Sequence, residues 1–442
     1  MFHVVAPSPV VCVSALSKVT DLLYAIADAA SCGDTEGLEA RMYELRSRHL
    51  KLVCSLFSAD PEGCDRASSK VNEICDTLAA VVSSVTALGD VPDRIRAVII
   101  SHGELLSSTI ICLALNSRGI RTGFVDARTM IVTDSEYMCG EPQFDIINER
   151  VPEIVGEAFV RGTAFISDGK AADGRSNEVV ITQGFIAANR QGAGTVLGRG
   201  GSDWSASIIA SALDASRVEI WTDVDGMRTT DPRVCPETCR IPRISYEEAA
   251  QMARFGAKVL HPKTIAPAVA RNIPVLVLNS SNPSCEGTAV VPEEAPDGPR
   301  GIAFKRNVYL VRFSPKAEGD FMWCLEESRI EPDMVTSAGR QMMVTVDFSH
   351  NIGGRTSSIP LAFNSFSTIC PIFPYPLIIT LTISLTITIQ TNIYVPRGRC
   401  VPACPQLRYN LYYCRSASSQ SSSEVGARRP QVPEQETEAH DR

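Results

Sequence analysis

The chain has 442 residues, of which 44% are hydrophobic and 21% are charged, and its formal net charge is −8. This length predicts two to three domains of ~150 residues each, and the composition is typical of a globular protein with a large core. The acidic balance, with no run of Lys or Arg along a helix face, argues against nucleic acid as a partner.

Cysteines are numerous but scattered. The 15 of them lie mostly inside apolar segments, which is typical of buried thiols in a reducing compartment and not of a disulfide framework. Cys235 and Cys239 form one close pair, and Cys400 and Cys404 form another. Neither pair has His or Cys partners at zinc-site spacing, so we expect no protein-bound metal.

Residues 1–300 alternate short β-branched runs with helical patterns. This alternation predicts a mostly parallel sheet covered by helices on both faces, with ligands beyond the carboxyl ends of the strands. The segment that ends at Val13 contains Pro7 and Pro9, so we interpret it as a core strand and not as a signal peptide. The predicted strands are residues 10–13, 97–101, 121–126, 178–182, 218–222 and 273–278, and the predicted helices include residues 35–57, 103–118 and 205–213.

A second unit is predicted over residues 301–347, after a linker rich in Pro, Glu and Gly. Its pattern of strand, helix, strand and strand indicates a partial ferredoxin-like module. The helix is predicted at residues 318–328, and the strands at residues 307–313, 333–337 and 342–347. We expect the closing helix and strand to be missing, which leaves an open sheet edge.

The composition changes after residue 347. Residues 356–396 contain no Asp, Glu, Lys, Arg or His. Three interpretations stay open: a transmembrane span, a segment with strand periodicity that pairs onto the open edge, and residues of a mis-predicted gene model. Prolines and strict apolar/Thr alternation argue against the span, so we favour a low-complexity or non-native tail over residues 348–442, with disorder from residue 416 onward.

Five motifs carry polar groups at predicted strand ends. In Thr195-Val-Leu-Gly-Arg-Gly-Gly-Ser-Asp-Trp204, glycines permit a tight turn and close approach to a ligand. Ser202 and Asp203 suit the N-cap of the following helix, which presents unpaired N–H groups to an anion, and Arg199 adds a planar fork for a carboxylate or phosphate. A simple capped turn is the structural alternative.

The other four motifs have similar alternatives. Thr222 and Asp223 end a predicted strand, and the turns that follow leave Arg233 exposed. The structural alternative is two surface turns with solvated charges. Lys258 lies in an apolar stretch, where it would need an anionic partner unless its head reaches solvent. Glu104 lies near the start of a predicted helix, where a carboxylate is also favoured by the helix dipole. The segment 12–21 places hydroxyls at another strand-to-helix crossing.

Together these residues resemble the aspartate kinases of the amino-acid-kinase fold. The resemblance covers residues 9–347 and rests on Val13-Ser-Ala-Leu-Ser-Lys-Val-Thr20, Ser101-His-Gly-Glu104, Ile181-Thr-Gln-Gly-Phe185, Leu197-Gly-Arg-Gly-Gly-Ser-Asp203, Trp221-Thr-Asp-Val-Asp-Gly226, Thr230-Asp-Pro-Arg233 and Phe255-Gly-Ala-Lys-Val-Leu-His-Pro262. It implies a catalytic domain at residues 1–300 and a partial ACT-like regulatory module at residues 301–347.

The resemblance also implies a reaction and a set of site residues. Aspartate kinases transfer the γ-phosphoryl group of ATP, bound with Mg²⁺, to the β-carboxylate of L-aspartate, the first step of lysine, threonine and methionine biosynthesis. Glu104 would take the α-amino group and Arg199 a carboxylate, while Ser202 and Asp203 organise the glycine loop. The implied aspartate-binding residues are Ser14, Thr20, Glu104, Arg199 and Ser202; the implied ATP-binding residues are Gly200, Gly201, Thr222, Asp223, Arg228, Arg233, Lys258 and Val259; the implied catalytic residues are Arg199, Asp203 and Lys258.

Two departures from the family pattern affect these expectations. Family members carry a first strand with Lys-Phe-Gly-Gly-Thr-Ser, and the printed sequence starts after that point, so we expect this chain to be slow or inactive as it stands. Arg228 replaces a tyrosine that many members have near the adenine. The alternative function is a non-catalytic relative that binds aspartate or a nucleotide, or that regulates an intact kinase subunit. We further expect a homo-oligomer, a feedback amino acid, no membrane association, and a cytoplasmic location, or a plastid one in a plant or alga.

Overall fold

The computed structural model describes residues 2–4, 8–160, 176–254, 260, 262–292, 301–305, 309–313, 322–323, 332, 334–338, 341–346, 378–380 and 386–389. Nine helices are bounded within these ranges: α1 Val19–Cys32, α2 Thr35–Leu56, α3 Pro61–Thr86, α4 Asp93–Ser117, α5 Ala127–Met130, α6 Phe144–Val160, α7 Gly201–Ala212, α8 Tyr246–Arg254 and α9 Pro262–Ala270.

The main sheet has eight strands, in the order β3-β5-β2-β1-β8-β10-β11-β9. Four of its neighbouring pairs are parallel (β3 with β5, β5 with β2, β8 with β10, and β9 with β11), and three are antiparallel. The strands are β1 Phe2–Val4, β2 Ser8–Val13, β3 Thr122–Val125, β5 Val179–Gln183, β8 Val218–Thr222, β9 Arg243–Ser245, β10 Val275–Asn279 and β11 Thr288–Val291. Strand β1 runs antiparallel to both β2 and β8, so β2, β3, β5, β8 and β10 point the same way and their carboxyl ends share one edge. The predicted α/β class is confirmed.

The prediction of a strand at residues 97–101 is wrong. These residues lie inside α4, a 25-residue helix, and the helix predicted at residues 103–118 is its second half. A short run of Ala, Val and Ile fits a buried strand and a buried helix equally well, and here the helix is enclosed by other elements, with Ile99 and Ile100 fully buried. Among the described helices, α4 alone is long and apolar enough to cross a membrane, and it is mostly buried inside the fold, as a core helix is.

A separate small sheet carries the glycine-rich motif. Its order is β4-β6-β7, with β4 Val132–Thr133, β6 Ile186–Asn189 and β7 Gly194–Val196. Strands β6 and β7 form an antiparallel hairpin, and α7 follows β7 after a short loop. The sequence led us to expect all five motifs at the carboxyl edge of one parallel sheet. The glycine-rich motif instead follows β7 of this small sheet.

Helices α1 to α4 form a packed group beside the main sheet. They bury large side chains that recur at helical spacing, such as Leu23 and Ile26 on α1 and Leu78 on α3. Two of these helices begin with an aspartate cap: Asp34 accepts a hydrogen bond from Gly37 N, and Asp60 accepts one from Gly63 N, each at 2.9 Å. This packing holds α4 against the sheet, where it supplies residues to the candidate site.

The C-terminal part contains two further sheets. Strands β14 Met334–Ala338, β15 Gln341–Val346, β13 Tyr309–Phe313 and β16 Ile378–Thr380 form one sheet in that order, entirely antiparallel. The three strands predicted for the partial module are thus present, but a fourth strand, β16, pairs with β13 on the edge that we expected to be open. A two-stranded sheet joins β12 Ile302–Lys305 to β17 Thr386–Ile389.

Several predictions for this region lie outside the described residues. These include most of the helix predicted at residues 318–328, of which residues 322–323 are described as helical, and most of the tail at residues 348–442. The domain boundaries near residues 300 and 347 stay predictions.

Candidate active site

The loop after β2 is held by two side chains of α4. Ala15 N donates a hydrogen bond to Glu104 Oε1 at 3.2 Å, and Ser107 Oγ donates one to the carbonyl oxygen of Ser14 at 2.8 Å. Gly103 lies beneath the same loop, and a Cβ there would come within 2.8 Å of Ala15 Cβ. The close packing fixes the backbone of this loop and leaves the Ser14 side chain exposed.

Glu104 is a buried carboxylate with one oxygen unpaired. Its side chain is 3% exposed, and Oε2 has no hydrogen-bond partner among the described residues. Burial raises the pKa of Glu104 to about 7, and the hydrogen bond from Ala15 N opposes that shift. The prediction that Glu104 lies near a helix N-terminus is wrong, because it lies in the middle of α4, so the helix dipole does not explain its position. A ligand ammonium group would satisfy both the charge and the unpaired oxygen.

The loop after β2, here called the Ser14 loop, leads directly into helix α1. Lys18 is the N-cap residue, with a left-handed backbone (φ 61°), and its side chain makes no capping bond. Thr20 therefore lies in the first turn of α1 and is half-buried. Arg48 on α2 donates to the carbonyl oxygen of Ser17 at 2.7 Å, which ties the loop to the helical group.

The glycine loop connects β7 to α7. Gly198 and Gly200 both have positive φ (76° and 66°), and Gly200 is the N-cap of α7. Ser202 and Asp203 are therefore in the first turn of the helix and not at its N-cap, because the left-handed glycine takes that position. Arg199 lies exposed between the two glycines.

Asp203 lies against the sheet below the glycine loop. Burial raises the pKa of Asp203 to about 6, and the neighbouring Trp204 is buried. Cys12 on β2 has its pKa raised to about 12, mainly by burial and also by the charge of Asp203. Helix α7 packs against β2, the strand that leads into the Ser14 loop, so Asp203 lies on the element next to that strand.

Gly184 joins the two loops. Its N–H donates to the carbonyl oxygen of Val13 at 2.9 Å, directly before Ser14. A Cβ on Gly184 would lie 2.7 Å from Ser202 Cβ, so only glycine fits there without moving α7. The structure thus brings together Ser14, Glu104 and Ser202.

The nucleotide-binding residues predicted at β8 lie at the edge of the main sheet where β2 leads into the Ser14 loop. Thr222 ends β8, its hydroxyl donates to Asp223 Oδ1 at 3.2 Å, and its carbonyl oxygen accepts from Ser280 N at 2.9 Å. Asp223 is exposed. Because β2 and β8 point the same way, Ser14 and Asp223 both follow carboxyl ends at this edge.

Two arginines of the predicted nucleotide site make contacts within the chain. Arg233 pairs with Asp231, with distances of 3.0 and 2.6 Å to the two carboxylate oxygens, while its side chain stays 77% exposed. Arg228 donates to the hydroxyl of Thr238 at 2.6 Å and to the carbonyl oxygen of the same residue. Arg228 is thus engaged with the following loop. Lys258 and Val259 lie outside the described residues.

Sequence reasoning missed Ser107, Arg48 and the contact between Gly184 and Ser202. Ser107 lies three residues after Glu104 and so on the same face of α4, which is the one signal that the sequence offered. Within the described part of the chain, no cluster of three or more His, Cys, Asp or Glu residues could hold a metal ion.

Comparisons with known proteins agree with this geometry. Residues 6–279 match the family described as "Amino acid kinase family". Lysine-sensitive aspartokinase 3 of Escherichia coli is 33% identical over 348 residues, which cover 76% of this chain and 71% of that protein. A bifunctional aspartokinase/homoserine dehydrogenase of Zea mays is 33% identical over 64% of this chain, which spans 29% of its length.

Solved structures give the same result. Escherichia coli aspartokinase III in complex with aspartate and ADP superimposes with a TM-score of 0.67 at 28% identity, over 81% of this chain and 76% of that one. The same enzyme in complex with lysine and aspartate gives a TM-score of 0.65 at 26% identity, over 87% of this chain and 79% of that one. The family match, the extent of the first relative and these folds together establish that the chain belongs to the amino acid kinase family and, within it, to the aspartokinases.

Proposed function

We propose that this chain transfers the γ-phosphoryl group of ATP to the β-carboxylate of L-aspartate, giving 4-phospho-L-aspartate and ADP. The observation that carries the proposal is the buried oxygen of Glu104 beneath the Ser14 loop, which has no hydrogen-bond partner among the described residues. An α-amino group is the kind of ligand that such a carboxylate binds. The related enzyme from Escherichia coli, with aspartate and ADP bound, has the same fold.

The nucleophile needs no general base. The β-carboxylate of aspartate has a solution pKa near ~3.9, so it is already ionised at neutral pH. The chemical difficulty is the approach of one anion to the phosphates of another, which calls for fixed positive charge and accurate positioning. We assign the positioning of a substrate carboxylate to Arg199, and that of the glycine loop around it to Ser202 and Asp203.

The nucleotide is assigned to the carboxyl end of β8. Thr222, Asp223 and Arg233 are its candidate contacts, with Lys258 and Val259 from the following segment. ATP enters as its Mg²⁺ complex, in which the metal bridges phosphate oxygens and belongs to the substrate. Arg233 is exposed and is held by Asp231, so it is available near the surface to a phosphate.

Regulation, assembly and location are further parts of the proposal. We propose that a feedback amino acid regulates this chain, on the ground that a related enzyme has been solved with lysine and aspartate. Its assignment to the partial ACT-like module at residues 301–347 rests on the family resemblance. A homo-oligomer and a cytoplasmic or plastid location stay proposals. The prediction of mostly buried thiols is wrong for the described part of the chain, where five of the ten cysteines are exposed and two are buried.

A hydroxamate assay tests the function. Aspartyl phosphate is trapped by hydroxylamine, and we expect product only when L-aspartate, ATP and Mg²⁺ are all present. Product that forms equally well from N-acetylglutamate or glutamate would contradict the proposal. Binding of aspartate and nucleotide without turnover would favour the non-catalytic alternative.

A further inference from the structure

Phe185 adopts a backbone conformation that bulky residues rarely take. It has φ 66°, and it is one of four non-glycine residues with positive φ in the described part of the chain, with Lys18, Asp214 and Asn272. The Phe185 side chain is buried. Such strain persists only where surrounding contacts enforce it, and it is concentrated at functional sites.

Three groups of Phe185 contact the glycine loop and the helix that follows it. Its carbonyl oxygen accepts from Leu197 N at 2.9 Å, directly before the loop. Its N–H donates to Ser205 Oγ at 2.9 Å, and this hydroxyl donates in turn to the carbonyl oxygen of Gly201 at 2.9 Å. Its ring edge occupies the space beside Gly201, where a Cβ would lie 2.5 Å from the Phe185 ring. The loop is therefore held at both ends by one residue.

The left-handed backbone at Phe185 allows its N–H, its carbonyl oxygen and its ring to make these contacts at the same time. Gly184 bonds to Val13 in the main sheet and packs on Ser202, and Ile186 begins β6 in the small sheet. The chain crosses between the two sheets at this point, and positive φ directs the Phe185 carbonyl group and ring toward the loop. A glycine-rich loop has few side chains of its own to fix it, so its order must come from neighbouring residues.

We propose that Phe185 is a positioning residue for aspartate, which holds the glycine loop so that Arg199 and Ser202 stay at a fixed distance from the Ser14 loop. This inference rests on the proposed function, because it names what orders that same site. Phe185 acts through the loop and not by contact with substrate. Its loss should weaken aspartate binding more than ATP binding, because Arg199 and Ser202 lie in this loop, whereas most of the implied nucleotide contacts, such as Thr222 and Asp223, lie at or after the end of β8.

Two substitutions distinguish the contribution of the Phe185 ring from that of the backbone strain. Phe185→Ala removes the ring and keeps the strained φ, whereas Phe185→Gly removes the ring and relieves the strain. Both should raise the KM for aspartate at least ~10-fold and leave the KM for ATP within about two-fold, because misplaced binding groups weaken the interactions that they make. Phe185→Leu should give a smaller rise in the same direction.

Two controls match these variants. Phe124→Ala truncates another buried phenylalanine, on β3. It should lower the free energy of unfolding without changing the KM for aspartate relative to the KM for ATP. Asn272→Gly relieves positive φ at a turn before β10 and should leave both KM values unchanged. Hydrogen exchange provides a readout that needs no turnover: amides of residues 198–203 should exchange faster in Phe185→Ala than in Phe124→Ala.

The outcomes distinguish this inference from the proposed function. An active wild type whose Phe185 variants keep a normal KM for aspartate would overturn the positioning role alone, as would equal rises in both KM values. A wild type that makes no aspartyl hydroxamate would overturn the proposed function, and loop exchange would then still test whether Phe185 orders residues 198–203. If the alanine and glycine variants do not fold, Phe185→Leu decides between the same results.

Discussion

The backbone N–H of Ala15 donates a hydrogen bond to Glu104 Oε1, across 89 residues of sequence, and leaves Glu104 Oε2 buried without a partner in the described structure. One carboxylate oxygen thus organises the loop after β2, and the other is available to a ligand. This division would allow a single buried acid both to order the loop and to bind the α-amino group that we propose as its ligand. Five predictions follow from this arrangement and its neighbours.

Aspartate binding should release a proton near neutral pH. The pKa of Glu104 is raised to about 7 by burial, so at pH 6.5 a large part of the free protein carries a protonated Glu104. A bound ammonium group favours the ionised carboxylate and lowers that pKa, so the proton leaves. Calorimetry at pH 6.5 in buffers of different ionisation enthalpy measures this release. Glu104→Gln should bind aspartate much more weakly and release no such proton, and an unchanged release would refute the assignment.

The same group should make unliganded stability depend on pH. Its pKa is raised in the folded state, so its contribution is fully present below about pH 4.5 and is lost as pH rises through about 7. Relative to Glu104→Gln, the wild type should therefore lose of the order of 3 kcal/mol of unfolding free energy between pH 4.5 and pH 8. Urea titrations of both proteins at several pH values measure the difference. Parallel curves would show that Glu104 is not buried as described.

Much of the fold could be predicted from the sequence, because local patterns determined it. The strand at residues 218–222 and the order of β7, glycine loop and α7 follow from apolar runs and glycines. The strand predicted at residues 97–101 was wrong, because a buried helix and a buried strand share the same apolar run, and only packing distinguishes them. The N-cap of α7 was also misplaced, because the left-handed turn at Gly200 was not foreseen.

The structure brings some of the predicted site residues together, such as Ser14, Glu104 and Ser202, but their roles stay predictions, and their contacts were not predictable. Glu104 is identified by resemblance, and the structural alternative, a carboxylate stabilised by a helix N-terminus, is wrong because Glu104 lies in the middle of α4. The link from Gly184 to Ser202 depends on how two sheets meet, which no local pattern encodes. The assignments of Lys258 and Val259 stay predictions.

Ser107→Ala should weaken aspartate binding modestly. The lost bond to the Ser14 carbonyl oxygen is worth about 1 kcal/mol, which corresponds to a roughly five-fold rise in the KM for aspartate. Ser84→Ala is the matched control, since Ser84 makes a similar bond to a carbonyl oxygen at 2.8 Å on the exposed face of α3. Steady-state kinetics on both variants should show a change in the first and none in the second.

Gly184→Ala should damage the site, whereas Gly156→Ala should be harmless. A Cβ at residue 184 would press on Ser202, and overpacking of this kind costs about 1–3 kcal/mol. At residue 156, inside α6, no atom lies within 4 Å of the added Cβ, so alanine should stabilise the helix by up to about 1 kcal/mol. The thermal unfolding temperature should therefore fall in Gly184→Ala and rise in Gly156→Ala, and only Gly184→Ala should raise the KM for aspartate. Equal behaviour would mean that Gly184 does not hold the loops together.

The central claim is that Glu104 binds the α-amino group of the phosphoryl acceptor. The most direct test compares L-aspartate with succinate, which keeps both carboxylates and lacks the amino group, as acceptors for wild type and Glu104→Gln in the hydroxamate assay. The account predicts a large preference of the wild type for aspartate in kcat/KM, and a preference that nearly disappears in Glu104→Gln because the paired groups act together. A preference for aspartate that survives in Glu104→Gln would show that another residue binds the amino group and would contradict the account.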